Sequence, residues 1–205
     1  MPSISLFQRW ALLCQTAGLD DIAEGEKIIN CYAGNGLAYH NLDHLGDCLD
    51  KLLARKSEAR DPIAVELAIW FHDAIYDPRA HDNEEKSAQM AATFLENTTW
   101  SQSVAELILA TKHQEEPPSD DAKLLCDIDL SILGSDDPSY RKYARAIRSE
   151  YAWVGENAYH TGRSAVLKSF LDRPFIFALS ASRELYEKPA RHKIATELES
   201  LNQSN

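Results

Sequence analysis

The sequence predicts an all-α protein, and three observations carry that reading. Helix-forming Ala, Leu, Glu and Lys are plentiful while Gly and Pro number 8 each in 205 residues; apolar residues recur at spacings of three and four rather than two; and helix start and stop signals recur about every fifteen to twenty residues. The expected architecture is a compact helical bundle of about ten helices in a single domain spanning residues 1–205. That length suffices for one well-buried core, and no Gly/Ser/Pro-rich linker interrupts it.

Residues 4–17 read as an amphipathic helix ending before Gly18, and Asp20 with Asp21 opens a second that runs to about Tyr32 and stops at Gly34 and Gly36. A third starts near Asn41, with Leu42, Leu45, Leu49, Leu52 and Leu53 inward and Asp43, Asp47, Asp50 and Lys51 outward. The fourth takes Asp61 as N-cap and Pro62 at its first position, then runs through Ile63, Ala64, Val65, Leu67, Ala68, Ile69, Trp70 and Phe71. A helix this apolar on all sides belongs in a core.

Residues 83–96 and 101–113 give two more helices, separated by a turn at Asn97, Thr98 and Thr99, before Pro117 and Pro118 break the chain. A helix after Ala122 carries Asp127 and Asp129 and ends at Gly134, and Asp137 with Pro138 starts another that includes Tyr140, Tyr143, Ile147 and Tyr151. With Trp153, these tyrosines read as core rather than as a base-stacking platform. The tail from Asn157 is helical, divided by Pro174 and Pro189, with residues 174–179 read as an entry turn in preference to an extended segment.

Acidic residues outnumber basic ones by 32 to 21, for a formal net charge of -11. That balance argues against a nucleic-acid polymer or an anionic membrane as partner and leaves a small, locally steered anion open. The longest apolar stretch falls well short of the ~20 residues that cross a bilayer, and the N-terminus lacks a secretory pattern, so a cytoplasmic protein without membrane attachment is expected. The four cysteines, Cys14, Cys31, Cys48 and Cys126, have no Cys-x-x-Cys spacing and read as reduced core residues, with Cys48 and Cys126 packing near the histidine and aspartate motifs.

Those motifs carry the chemistry. His72 and Asp73 close the apolar fourth helix, where an uncompensated carboxylate would cost several kcal/mol, so a partner, a proton or a metal ion is required. His40 and His44 lie one helical turn apart on one face of the third helix, and a further carboxylate from Asp127 or Asp129 can close the set. Two neutral imidazoles with two carboxylates make a mixed nitrogen and oxygen shell for a divalent cation with open water positions.

The ordered set resembles the HD-domain superfamily of metal-dependent phosphohydrolases, whose pattern is a His, a His-Asp doublet and a distant Asp. The run Tyr39-His40-Asn41-Leu42-Asp43-His44 is similar to the Tyr-His-Asn-x-x-His signature of its cyclic-nucleotide phosphodiesterases. Still closer is the pattern of a small bacterial branch of the superfamily: Phe71-His72-Asp73, Asn83-Glu84-Glu85 with Ser87, Thr111 with His113, Asp127-x-Asp129-Leu130, and a late Gly162-Arg163. The resemblance runs from about Tyr39 to Arg191, with the metal-site core at about 37–135 and C-terminal helices over 136–205 completing the bundle.

The resemblance implies one divalent metal ion held by His44, His72, Asp73 and Asp129, with Mn, Fe, Co, Ni, Zn and Mg all open. Asp129 is preferred because Ile128-Asp129-Leu130-Ser131 is similar to the family's Ala-Asp-Leu-Ser form, which leaves Asp127 as an orienter of the ligands or a helix cap. Asp73 would point between metal and water. His40 matches the position that protonates a leaving oxygen, weighed evenly against a hydrogen-bonded residue at a helix start. Glu84 would orient water or a ligating histidine, or, with Asn83 as cap, simply suit the positive end of its helix. Lys112, His113, Arg148 and Arg163 are candidates for holding a phosphate, each weighed against ordinary surface or helix-end pairing. Only His81 and His113 could supply a second metal, which favours a single ion.

The implied function is a phosphomonoesterase or phosphodiesterase acting on a small, nucleotide-like phosphorylated substrate through metal-activated water. The alternative keeps the ligands without turnover, as a metal-stabilised nucleotide-binding or regulatory module. An iron oxygenase is the least favoured, for want of further histidines.

Overall fold

The computed structural model describes residues 4–34 and 36–203. It is all-α: the described residues hold no strand and no helix long and apolar enough to cross a membrane. The chain packs as two compact units, residues 1–125 and 126–205, and their boundary falls inside one helix, α7 (Asp120–Asp129).

The first unit holds α1 (Leu6–Ala17), α2 (Glu24–Gly34), α3 (Leu42–Arg55), α4 (Pro62–Phe71), α5 (Asn83–Phe94), α6 (Ser101–Ala110) and the start of α7. Its centre is α4, which packs against α1, α3, α5 and α6 and buries every residue from Leu67 to Phe71. Asp61 makes that placement possible. One carboxylate oxygen accepts from the N–H groups of Ile63 and Ala64, capping α4, and the other accepts from the indole N–H of Trp100 at 2.9 Å. Asp121 of α7 in turn accepts from the backbone N–H groups of Arg60 and Asp61, at 2.6 and 2.9 Å, fixing where the chain enters α4.

Beneath α4 lies an aromatic cluster. Trp10 meets Trp70 edge-on at 5.3 Å and Phe71 at 6.1 Å, with Phe94 5.6 Å away. A Cβ at Gly25 would stand 2.2 Å from the Trp10 ring, so a glycine is what lets α2 close on it.

Three expectations are corrected here. α2 begins at Glu24, because the chain first makes tight turns after Asp20 and Asp21. Leu53 points outward and is 66% exposed, since Leu45, Leu49 and Leu52 already fill the inner face and the next residue lies about 100° around the helix. Asn83 does not cap α5: Asp82 precedes the helix, and Asn83 turns its amide back onto the loop.

The second unit begins with the end of α7 and a 3₁₀ turn (Leu130–Gly134), followed by α8 (Asp137–Glu150), α9 (Glu156–Leu171), α10 (Ser180–Ser182) and α11 (Lys188–Gln203). Leu133, Leu167, Phe177, Ala190 and Ile194 form its core. A Cβ on Gly134 would lie 2.8 Å from the Tyr186 backbone, so this glycine permits the 3₁₀ turn and a π-helical turn to touch. That π turn (Arg183–Glu187) runs straight into α11, and Pro189 therefore sits within the first turn of a helix instead of dividing the tail. Residues 174–179 are an irregular, bent run leading into α10, with no strand, and Trp153 is 51% exposed, stacked on Tyr151 rather than buried.

Candidate metal centre

Asn41 starts α3 by accepting from the N–H groups of Asp43 and His44, at 2.9 and 3.4 Å, which fixes the rotation of the helix and turns His44 into the first unit. His72 follows the last residue of α4 and is buried. The two imidazoles meet there: His44 Nε2 and His72 Nε2 are 3.2 Å apart. Asp73 Oδ2 lies 3.2 Å from His72 Nε2 and 3.5 Å from His44 Nε2.

These separations match the edges of a coordination polyhedron. Three donors each about 2.1 Å from one ion stand about 3.0 Å apart at right angles and about 3.4 Å apart at the tetrahedral angle. The hydrogen-bond pattern agrees. His72 Nδ1 is 2.8 Å from the carbonyl oxygen of Ile69, which can only accept, so Nδ1 carries a proton and Nε2, turned toward Asp73 and His44, is the nitrogen that the neutral form of the ring would offer to a cation.

Asp73 is held as a carboxylate. Burial acts to raise its proton affinity, but the charges of His72 and His40 and the hydrogen bonds from His44 and His72 outweigh it and hold the group well below the usual carboxylate range. Tyr32 of α2 anchors the doublet: its hydroxyl accepts from the Asp73 N–H at 3.2 Å and donates to the Trp70 carbonyl at 3.3 Å. Burial first, and then the Asp73 charge, push the Tyr32 phenol well above its ordinary value, so the donor proton stays on.

Asn83 and Ser87 of α5 hold the loop that follows the doublet. Asn83 accepts from the N–H of Asp77 and donates to its carbonyl, each at 3.0 Å. Ser87 Oγ, fully buried, accepts from the N–H of Ile75 at 3.1 Å and donates to its carbonyl at 3.3 Å. Glu84 begins the same helix, half-buried. His40 stacks on Tyr76 of this loop, with ring centroids 3.7 Å apart and 6.0 Å from His44 to His40. Three motif positions thus act on the segment that carries Asp73.

The remaining candidates are placed differently. Lys112 is ion-paired with Glu85, which raises its pKa. His113 ends the turn after α6 with a φ of 54°, a left-handed conformation in which a glycine is the usual occupant. In the second unit, Arg148 donates to the carbonyls of Tyr151 and Val154 and lies over the Tyr159 ring, closing the end of α8. Arg163 is buried in a forked pair with Glu197, at 2.8 and 3.3 Å, and donates to Tyr143. Both arginines thus have partners within the second unit.

Asp127 is buried and accepts from the backbone N–H groups of Ala178 and Leu179, just ahead of α10, at 2.7 and 2.9 Å. Asp129 is the last residue of α7, half-buried.

One residue was read from sequence only as packing. Cys48, one turn after His44 on α3, brings its sulfur to 3.8 Å from His44 Nδ1 and 3.9 Å from Nε2. His44, Cys48 and His72 each offer a ligand atom, and these atoms lie within 4.8 Å of one another, so the group can hold a metal ion. The signal was the spacing of four from His44, which places both side chains on one helix face.

Compared with known proteins, the chain matches no protein-family model, no curated protein and no solved structure.

Proposed function

We propose that the protein is a metal-dependent phosphohydrolase, acting on a phosphate ester of a small, nucleotide-like substrate. The observation that carries the reading is the triangle of His44 Nε2, His72 Nε2 and Asp73 Oδ2, with sides of 3.2, 3.2 and 3.5 Å. When bound, a divalent ion there supplies Lewis-acid polarisation of a phosphorus–oxygen bond and lowers the pKa of water. His44 and His72 bind through Nε2, the Ile69 carbonyl fixes the His72 tautomer, and Tyr32 fixes the backbone of Asp73. Asp129 is the proposed fourth ligand, on the strength of the sequence resemblance.

Asp73, kept ionised, accepts a hydrogen bond from the attacking water and so orients it toward phosphorus. His40, its ring held flat against Tyr76, donates the proton that the leaving oxygen requires. Lys112 and His113, at the end of α6, are the proposed phosphate contacts, and Glu84 orients the water or a ligating imidazole. The protein works in the cytoplasm in this reading.

The test is a metal-supplemented screen of chelated protein against nucleoside monophosphates, cyclic nucleotides and dinucleotides, with Asp73→Ala as blank. Product release that needs the metal and disappears in Asp73→Ala is expected. Ligand binding without release would instead identify a regulatory module, and a protein that retains no divalent ion, with His72→Ala indistinguishable from wild type, would sink the reading.

A further inference from the structure

We propose that Cys48 is a sulfur donor to the ion bound by His44 and His72, which makes this a thiolate-containing centre that favours zinc, cobalt or ferrous iron over magnesium and manganese. The inference rests on the metal-centre reading above. A buried cysteine is ordinarily a small apolar filler, so the burial of Cys48 by itself says nothing. What distinguishes it is its setting. It follows His44 by one turn on α3, behind the cap at Asn41 that fixes the helix rotation, and its sulfur belongs to the same tight group of ligand atoms as both imidazoles.

Cys48 Sγ lies beside the His44 ring, 3.8 Å from Nδ1 and 3.9 Å from Nε2, and belongs to a group whose ligand atoms all lie within 4.8 Å of one another. Coordination at the usual thiolate distance of about 2.3 Å therefore requires the sulfur to swing from the side of the ring toward the ion held at Nε2. Cys48 is in no disulfide. On binding, the sulfur–metal bond forms as the thiol proton passes to solvent, with no change of oxidation state. A soft sulfur changes which ion is kept: thiolate and imidazole suit zinc, cobalt and iron, whereas magnesium and manganese select shells of oxygen.

Chelated wild-type, Cys48→Ser, Cys48→Ala and His72→Ala proteins are each loaded with Co(II), and bound cobalt is measured beside the near-ultraviolet sulfur-to-cobalt charge-transfer band. Wild type should hold one cobalt with a strong band. Both cysteine variants should hold cobalt with the band gone, and in Cys48→Ala the preference for zinc over manganese should fall by about tenfold or more, as expected on losing a soft ligand. Cobalt-loaded wild type without the band, or a band that persists in both cysteine variants, overturns the sulfur ligand while leaving the metal centre standing. Failure of wild type to retain cobalt, with His72→Ala no different, overturns the metal centre and Cys48 with it. Using two substitutions at Cys48 guards against one of them failing to fold.

Discussion

At the scale of single residues, the centre depends on groups that never touch an ion. The Tyr32 hydroxyl satisfies two buried backbone groups at once, the N–H of Asp73 and the carbonyl of Trp70. Tyr32→Phe removes both bonds without opening much space, so unfolding should become easier by about 1–3 kcal/mol, the usual cost of leaving buried polar groups unmet. Urea denaturation should show a lower midpoint with an unchanged slope, and metal affinity should drop as Asp73 loosens; a variant equal to wild type in both would remove Tyr32 from the account. Asp73 itself predicts a pH dependence. Its folded pKa is depressed, so its contribution to stability is complete above the unfolded carboxyl value of about 3.9 and is lost as pH falls through the lower folded value. Metal-free protein should therefore weaken in acid more steeply than Asp73→Asn. A wild-type and variant difference that stays constant from about pH 6 to pH 2 would contradict that linkage.

At the scale of elements, α5 is a clamp on the loop between the His-Asp doublet and its own first turn. Ser87 and Asn83 make four hydrogen bonds to the backbone of Ile75 and Asp77, and Tyr76, between them, carries the ring on which His40 stacks. Asn83→Ala should raise amide hydrogen exchange in residues 74–82 while α4 stays protected, and it should lower turnover more than it lowers metal content. Equal loss of protection in α4 would mean that the clamp is general packing. The elements also explain what could be read in advance. Asn41, Asp61 and Pro62 are local start signals, and the apolar run of α4 belongs in a core, so the positions of His44 in the first turn of α3 and His72 at the end of α4 followed from short-range rules. Asn83, Leu53 and Pro189 did not follow: Asn83 is decided by the Asp77 backbone across the preceding loop, Leu53 by the prior claim of Leu52 and Leu49 on the inner face, and Pro189 by a π turn that runs straight into its helix. Cys48 was hidden by a different cause, since a thiol is equally at home as a filler and as a ligand, and only its distance to two imidazoles separates the roles.

At the scale of the whole molecule, the net charge of -11 acts in opposite directions on the two species the proposed reaction must gather. A divalent cation is drawn in by the long-range field, while an anionic phosphate ester is repelled by it. Arg163 is paired with Glu197, and Lys112, the proposed phosphate contact, with Glu85, so these cations offset that field only in part. Salt screens both effects over a Debye length of about 8 Å at physiological ionic strength and about 30 Å at 0.01 M. Raising ionic strength between those limits should slow metal capture by the chelated protein and, in metal-saturated protein, raise kcat/KM for the phosphorylated substrate while leaving kcat nearly unchanged. Stopped-flow metal uptake and steady-state kinetics across a sodium chloride series measure the two slopes. Opposite signs are expected; a kcat/KM that falls with salt would mean that a local positive field at the site, not the molecular charge, governs substrate approach.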